Sequence, residues 1–155
     1  MTPGFWPRLL VFGALCAVAA WIGGRFTAQG LGPWYDGLAK PSWTPPGPVI
    51  GAVWTTLFAL IATASAIFWT RERAAAYALT LGVNLALNVA WSYFFFARRS
   101  PSAALGELVI LELTCIALVL LAWPVSRLAA ALLLPYPVWV AFAGFLNWNV
   151  VKMNP

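Results

Sequence analysis

Five apolar segments, each about as long as a bilayer is thick, are the sequence feature that most restricts the fold. A membrane-spanning helix needs about 20 consecutive, predominantly apolar residues. The segments that reach this length cover approximately residues 8–26, 48–70, 75–97, 102–123 and 128–151. Because the bilayer core offers the backbone no hydrogen-bond partners, each segment must form a helix to satisfy its own amides and carbonyls. The sequence therefore predicts an all-α integral membrane protein, a single domain over 1–155 built as a bundle of five transmembrane helices.

Short polar breaks separate most of these segments, so consecutive helices should be antiparallel neighbours. Three connections lie at 71–73, 98–101 and 124–127. The first segment follows Arg8 and so resembles a signal peptide, but it is long enough to span and lacks a clear cleavage site. We therefore expect a true first helix in a multi-pass protein of a bacterial membrane. The basic residues divide four to five between the two sides, which leaves the orientation open.

Composition excludes several classes of protein. Residues are 63% hydrophobic and 8% charged, whereas a soluble domain carries roughly 25% charged residues. The chain has no histidine, which rules out an imidazole base and a histidine-ligated haem or zinc. Cys16 and Cys115 lie far apart in apolar runs and suit helix packing better than metal binding. The net charge of +5 comes from scattered basic residues, so we expect no nucleic acid, no metal and no cofactor.

The longest connection, residues 27–47, differs from a flexible linker. It reads TAQGLGPWYDGLAKPSWTPPG and supplies Trp34 and Trp43 as large apolar surfaces. A loop of about 20 residues inside a compact domain is more often functional than idle. Pro45 and Pro46 restrict the backbone, and Pro48 suits the first turn of the second helix. We therefore expect a semi-rigid lid over the mouth of the bundle, with Trp43 either touching a ligand or anchoring the lid.

Aromatic and amide side chains recur on single helical faces. Asn84, Asn88 and Trp91 follow one another at i, i+4 and i+7 in the third helix. Amides at membrane depth are costly unless paired, so they should face the bundle interior, either linking helices or lining a polar-tipped pocket. The second helix has a similar face with Trp54 and Phe58, and the fifth helix has one with Trp139, Ala143 and Leu146. These aromatic residues are candidates for stacking on a flat ligand.

Two further patterns leave alternatives open. Small residues at four-residue spacing allow close helix approach in lipid, either within one bundle or between two copies in a homodimer. They are Ala78, Gly82, Ala86 and Ala90 in the third helix, and Gly13, Ala17, Ala20 and Gly24 in the first.

Glu112 lies near mid-bilayer in the fourth helix, where an ionisable group suggests a function such as proton-coupled export. Glu107 is about 140° away around the helix, so the two acids do not form a catalytic pair.

Three motifs together resemble one known family. They are WYDGLAKPSWTPP at 34–46, followed by Val53-Trp54-Thr55; NLALNVAWSYFFF at 84–96; and PYPVW at 135–139 with Leu146-Asn147. In this order they look like the translocator protein family, also known as the tryptophan-rich sensory protein or mitochondrial benzodiazepine receptor family. The resemblance covers nearly the whole chain.

The resemblance implies five transmembrane helices, commonly a homodimer, and a pocket beneath the lid. The family ligands are porphyrins such as protoporphyrin IX, sterols and benzodiazepine-type drugs, so a porphyrin would be bound as a ligand. By motif, the implied ligand-binding residues are Trp34, Trp43, Trp54, Phe58, Asn84, Asn88, Trp91, Phe94, Trp139, Ala143 and Leu146. Trp34 and Trp139 lie at positions associated in bacterial relatives with light-dependent porphyrin breakdown, which makes them the candidate catalytic residues.

The chain departs from the family pattern at two positions. Trp148 stands where the sterol-recognition segment has a tyrosine, and Glu112 replaces an apolar or aromatic residue. The resemblance, together with Glu112, leaves three functions open. The leading one, implied by the resemblance, is porphyrin binding for sensing, regulation or transport. The alternatives are a light-dependent porphyrin-degrading enzyme that uses tryptophans, and a small proton-coupled exporter.

Overall fold

The computed structural model describes residues 4–69 and 74–155, and nearly all of them are helical. The helices are α1 (Phe5–Gly30), α2 (Pro33–Gly37), α3 (Gly47–Phe68), α4 (Ala74–Ser92), α5 (Pro101–Ala122), α6 (Arg127–Leu133) and α7 (Pro135–Met153). A π-helical turn, Tyr93–Ala97, continues α4. Five stretches are long and apolar enough to cross a membrane: α1, α3, α4 with its π-turn, α5, and α6 together with α7. The predicted five-helix architecture is confirmed.

The first helix is longer than predicted and the connection after it is shorter. Residues 27–30, expected in the lid, belong to α1, and Gly47 belongs to α3. No proline interrupts α1 after its first turn, and the helix ends before Gly32, whose φ of 98° is favourable only for glycine. Pro33 then begins the short helix α2. We use "lid" below for residues 31–46, and "lid end" for the end of the bundle that carries it.

The fifth span is divided rather than continuous. Pro135 and Pro137 lack amide hydrogens, so the hydrogen-bond ladder is interrupted after Leu134, where α6 ends and α7 begins. The segment α6 packs on both α3 and α5, whereas α7 packs mainly on α5. Only α6 therefore packs closely on α3, and a cavity lies between α3 and α7 toward the lid end.

The wide turn at Tyr93–Ala97 sets the position of two phenylalanines. The amide of Arg98 donates to the carbonyl of Tyr93 at 2.8 Å, an i to i−5 bond that widens the helix. Phe95 and Phe96 of this turn are buried, Phe95 against Trp91 and Phe96 against Tyr35. Gly30 lies so close that a Cβ there would be 2.7 Å from the Phe96 carbonyl oxygen, so a residue without a side chain is required.

The remaining helix bounds lie within one to three residues of prediction. The connection at Arg71–Arg73 is outside the described residues. At the third predicted break, 124–127, the Ser126 side chain accepts a hydrogen bond from the Ala129 amide at 3.2 Å and caps α6. Pro48 lies in the first turn of α3, as expected.

Candidate ligand-binding site

A cavity of about 650 Å³ lies inside the bundle beneath the lid. Its walls come from α1, α3, the lid-proximal part of α4 with its π-turn, α5 and α7. Most of the lining is apolar, and small residues of α1 such as Ala20 and Gly24 leave room between the aromatic walls. Ligand pockets in proteins typically measure roughly 300–1,000 Å³ and combine apolar walls with a few polar groups. The cavity has both properties.

Tryptophans from three helices form the aromatic walls. Trp54 lies 6.0 Å from Phe58 on α3, measured between ring centroids. Trp91 on α4 stacks on Phe95 at 5.2 Å, and Trp139 on α7 lies against Phe142 at 5.2 Å. All six of these residues border the cavity. Flat aromatic faces from several directions suit a planar, largely apolar molecule.

Asn84, Asn88 and Tyr136 form a hydrogen-bonded network that links three helices below the cavity. The Asn88 amide donates to the Tyr136 hydroxyl at 2.8 Å, and that hydroxyl donates to Asn84 Oδ1 at 3.0 Å. Asn84 Nδ2 donates to Thr114 Oγ1 on α5 at 2.8 Å. Asn84 is fully buried within this network, whereas Asn88 also lines the cavity. The sequence left open whether these amides link helices or line a pocket. Asn84 links helices only, whereas Asn88 both links helices and lines the cavity.

A second polar link holds the wall at the lid end. Trp91 Nε1 donates to Asn147 Oδ1 at 3.1 Å, and Asn147 Nδ2 donates to the Pro101 carbonyl at 2.8 Å. These bonds fix the Trp91 ring between α4 and α7 and satisfy the polar atoms of a buried amide. By contrast, Trp139 Nε1 is buried and has no acceptor among the described residues. That indole therefore has a buried hydrogen-bond donor that no described residue uses.

The lid contributes Leu31, Tyr35, Lys40 and Thr44 to the cavity lining. The Lys40 ammonium donates to the carbonyls of Tyr35 and Leu38 and lies 4.4 Å from the centre of the Tyr35 ring. Thr44 Oγ1 donates to the Pro41 carbonyl at 2.7 Å, which tightens the turn before the two prolines. Burial, and to a lesser extent the Asp36 carboxylate, raises the pKa of the Tyr35 phenol, so this phenol stays neutral at physiological pH.

Comparisons with known proteins identify the family. The TspO/MBR family model matches residues 12–153. The chain is 35% identical to "Tryptophan-rich protein TspO" of Chlorobaculum tepidum over 91% of this chain and 92% of that one. It is 36% identical to the human "Translocator protein" over 96% and 91% of the two chains, and 42% identical to "Uncharacterized membrane protein YtaB" of Bacillus subtilis over 78% and 80%. The chain belongs to the TspO/MBR family.

Family membership agrees with the resemblance drawn from the three motifs, and it assigns the chain a membrane receptor or transport-type role. It also agrees with the five membrane-spanning helices, so the protein is a multi-pass integral membrane protein. Of the residues that the TspO/MBR motifs suggested for ligand binding, seven line the cavity: Trp54, Phe58, Asn88, Trp91, Trp139, Ala143 and Leu146.

The structure places the other four suggested residues away from the cavity. Asn84 is in the network below it. Trp34 packs edge-on against Phe95 of the π-turn, 6.0 Å between ring centroids, and half-buried Phe94 belongs to the same small cluster. Trp43 is 45% exposed and stacks on Phe145 of α7 at 5.5 Å. In this arrangement Trp43 anchors the lid to the outer face of the bundle.

Sequence reasoning on this TspO/MBR chain missed several cavity residues. Tyr35, Lys40 and Thr44 of the lid lie within the motif at 34–46, but the tryptophans beside them are the stronger sequence signal for a ligand site. Phe95 and Phe96 line the cavity where Phe94 was expected. The π-turn causes this change, because a widened turn alters which of three consecutive phenylalanines faces inward.

The two acidic residues of α5 also lie apart from the cavity lining. Glu107 is buried, and neither of its carboxylate oxygens has a hydrogen-bond partner among the described residues. Glu112 is half-buried, and one of its carboxylate oxygens, Oε2, is buried without a hydrogen-bond partner among the described residues. Within the same described ranges, no group of three His, Cys, Asp or Glu side chains is placed to hold a metal ion.

Proposed function

We propose that the protein binds a large, flat, mostly apolar ligand of the porphyrin class in the cavity beneath the lid, for tetrapyrrole sensing, regulation or transport. The observation that carries the proposal is the convergence of Trp54, Trp91 and Trp139 on one cavity of about 650 Å³. Three indole rings on three helices provide a planar macrocycle with stacking surfaces on more than one side. Small residues on α1 leave space between them.

Polar groups at the edges of the cavity support the same class of ligand. Asn88 faces the cavity, and the buried Trp139 Nε1 has no acceptor among the described residues. A ligand atom that accepted a hydrogen bond from this N–H would offset the free-energy cost of burying the donor without a partner. The absence of histidine favours a metal-free porphyrin over haem, because haem iron most often takes an imidazole ligand.

Titration of the purified protein in detergent or nanodiscs with protoporphyrin IX tests the proposal. We expect saturable quenching of tryptophan fluorescence and a shift of the porphyrin absorption band at micromolar concentration. Trp139→Ala should weaken both signals, whereas Trp148→Ala, which removes an exposed tryptophan outside the cavity lining, should not. Quenching that never saturates, or that both variants reproduce, contradicts the proposal.

The two alternative functions have less structural support. A photochemical enzyme that uses both Trp34 and Trp139 would need both near the ligand, but only Trp139 lines the cavity. Illumination of the complex separates binding from chemistry: a new chromophore that is absent in Trp139→Phe would indicate degradation. A proton-coupled exporter would need Glu112 or Glu107 on the ligand path, and neither borders the cavity.

We also propose that the protein forms a homodimer through an outer groove between α1 and α4. Ala78, Gly82 and Ala86 line this groove of about 640 Å³, together with apolar residues of α1 such as Val11 and Leu15. A Cβ built at Gly82 would have no described neighbour within 4 Å, so the small-residue stripe is not filled by this chain. Close approach of a second copy would use that space. The corresponding stripe on α1 contributes Ala20 and Gly24 to the ligand cavity.

A further inference from the structure

Lys40 is the only charged residue among the described residues that line the cavity. Its surroundings there are aromatic rings, aliphatic side chains and a few neutral polar groups. A single positive charge in a largely apolar site attracts an anion more strongly than it would in water, because the surroundings screen it less. The position of this charge at the lid, where the cavity meets the aqueous side, also limits the cost of burying it.

The ammonium group of Lys40 has donor capacity left over. It carries three N–H donors. Two are directed to the carbonyls of Tyr35 and Leu38, the second at 3.0 Å, and these bonds hold the ammonium at the edge of the cavity. Both acceptors are neutral, so they orient the group without cancelling its charge. One donor and the full positive charge remain available.

No acidic side chain within the described ranges neutralises this charge. Asp36 is exposed and forms no ion pair with Lys40, and the Tyr35 phenol beneath the ammonium is neutral at physiological pH. The two buried acids, Glu107 and Glu112, do not line the cavity. A carboxylate carried by the ligand would therefore be the first anionic partner of Lys40.

We propose that Lys40 determines specificity by pairing with an acidic group of the ligand, so that the cavity selects flat apolar acids over the corresponding neutral esters. This inference rests on the proposed ligand-binding function and adds the chemical class of the ligand's polar end. The macrocycle or ring system lies among the indoles, and its carboxylate points to the lid. A charge-assisted hydrogen bond of this kind is stronger than one between neutral groups.

Protoporphyrin IX and its dimethyl ester form a matched pair of probes, because they share the same ring system and differ in charge. We expect wild type to bind the diacid about tenfold more tightly than the ester, with a preference that shrinks as salt concentration rises. Lys40→Met should lose about tenfold in affinity for the diacid and bind the ester as wild type does, and Lys40→Arg should keep the preference. Lys152→Met is the control, since Lys152 lies over Trp148 at the same end of the bundle but outside the cavity lining.

The ester separates charge recognition from a merely structural effect. If Lys40 only holds the lid in shape, Lys40→Met will weaken both ligands equally, and the proposal is wrong. Equal affinity of wild type for diacid and ester also overturns it, a result that requires no variant to fold. If wild type binds the ester and the diacid equally well, the proposed function stands without Lys40 selectivity. If wild type binds neither, the proposed function itself fails, and this inference with it.

Discussion

The side chain of Asn154 and the backbone of Ala39 form two reciprocal hydrogen bonds, joining the C-terminal end of the chain to the middle of the lid. The Ala39 amide donates to Asn154 Oδ1 at 3.0 Å, and Asn154 Nδ2 donates to the Ala39 carbonyl at 2.9 Å. A further bond from the same Nδ2 to the Val150 carbonyl, 2.7 Å long, holds the amide in place at the end of α7. The lid is thus fastened to the helix that carries Trp139.

Removing this fastening should loosen the lid without disturbing the bundle. We expect Asn154→Ala to accelerate amide hydrogen exchange across residues 34–44 and to speed ligand dissociation, because two hydrogen bonds to the lid backbone are lost. The thermal midpoint should change little. Asn149→Ala is the control, since Asn149 Nδ2 bonds only to the Phe145 carbonyl within α7. Unchanged exchange in the lid of Asn154→Ala would contradict this role.

The Tyr136 hydroxyl should contribute to bundle stability because it bridges Asn84 and Asn88. Tyr136→Phe leaves Asn84 Oδ1 and Asn88 Nδ2 without this partner. Inter-helix hydrogen bonds in membranes are worth about 0.6–2 kcal/mol each, so we expect a loss of about 1–2 kcal/mol in the free energy of unfolding. Equilibrium unfolding in mixed micelles measures it.

Tyr93→Phe is the matched control for this experiment. Tyr93 is half-buried and contacts Phe26 edge-on at a centroid distance of 5.2 Å. Its hydroxyl makes no hydrogen bond with the described residues, so the free energy of unfolding should change by less than about 0.5 kcal/mol. A Tyr136→Phe protein as stable as Tyr93→Phe would show that the network does not support the bundle.

Gly82→Leu should dissociate the proposed homodimer. The leucine side chain would fill the groove between α1 and α4 and keep a second copy from approaching closely. We expect the mass measured by light scattering in detergent to fall from that of two chains to that of one. Gly106→Leu, an exposed glycine on α5 with equally open space around it, should leave the mass unchanged. A wild-type protein that is already a single chain would rule the dimer out.

The sequence predicted the spans well because the bilayer sets their length. Five apolar segments gave five membrane-crossing helices, and most bounds fell within a few residues. The end of α1 was less predictable, since residues 27–30 read TAQG, contain no proline and are compatible with either a helix end or a loop. The division at Leu134 depends on Pro135 and Pro137, which the sequence shows. The packing partners of α6 and α7 depend on the arrangement of the whole bundle, which the sequence does not show.

The site was predictable where it lies on straight helices. Trp54, Trp91 and Trp139 each share a helical face with other cavity residues, so periodicity found them. Asn84 and Asn88 could not be separated, because residues four apart share a face, and only depth along the helix decides which one reaches the cavity. The choice among Phe94, Phe95 and Phe96 depends on the π-turn, which packs closely against Gly30 and which helical periodicity does not predict.

Porphyrin binding in the cavity is tested by measuring the affinity of wild type and of Trp139→Ala for protoporphyrin IX. Trp139 lines the cavity, and its loss removes one aromatic wall and a buried indole donor. We expect saturable binding with one site per chain in wild type, and affinity at least about tenfold weaker in Trp139→Ala, equivalent to about 1.4 kcal/mol. Trp148→Ala should bind as wild type, and an unchanged far-UV circular dichroism melt would confirm that each variant folds. Equal affinity in a folded Trp139→Ala protein, or no saturable binding in wild type, would show that the ligand does not bind in this cavity.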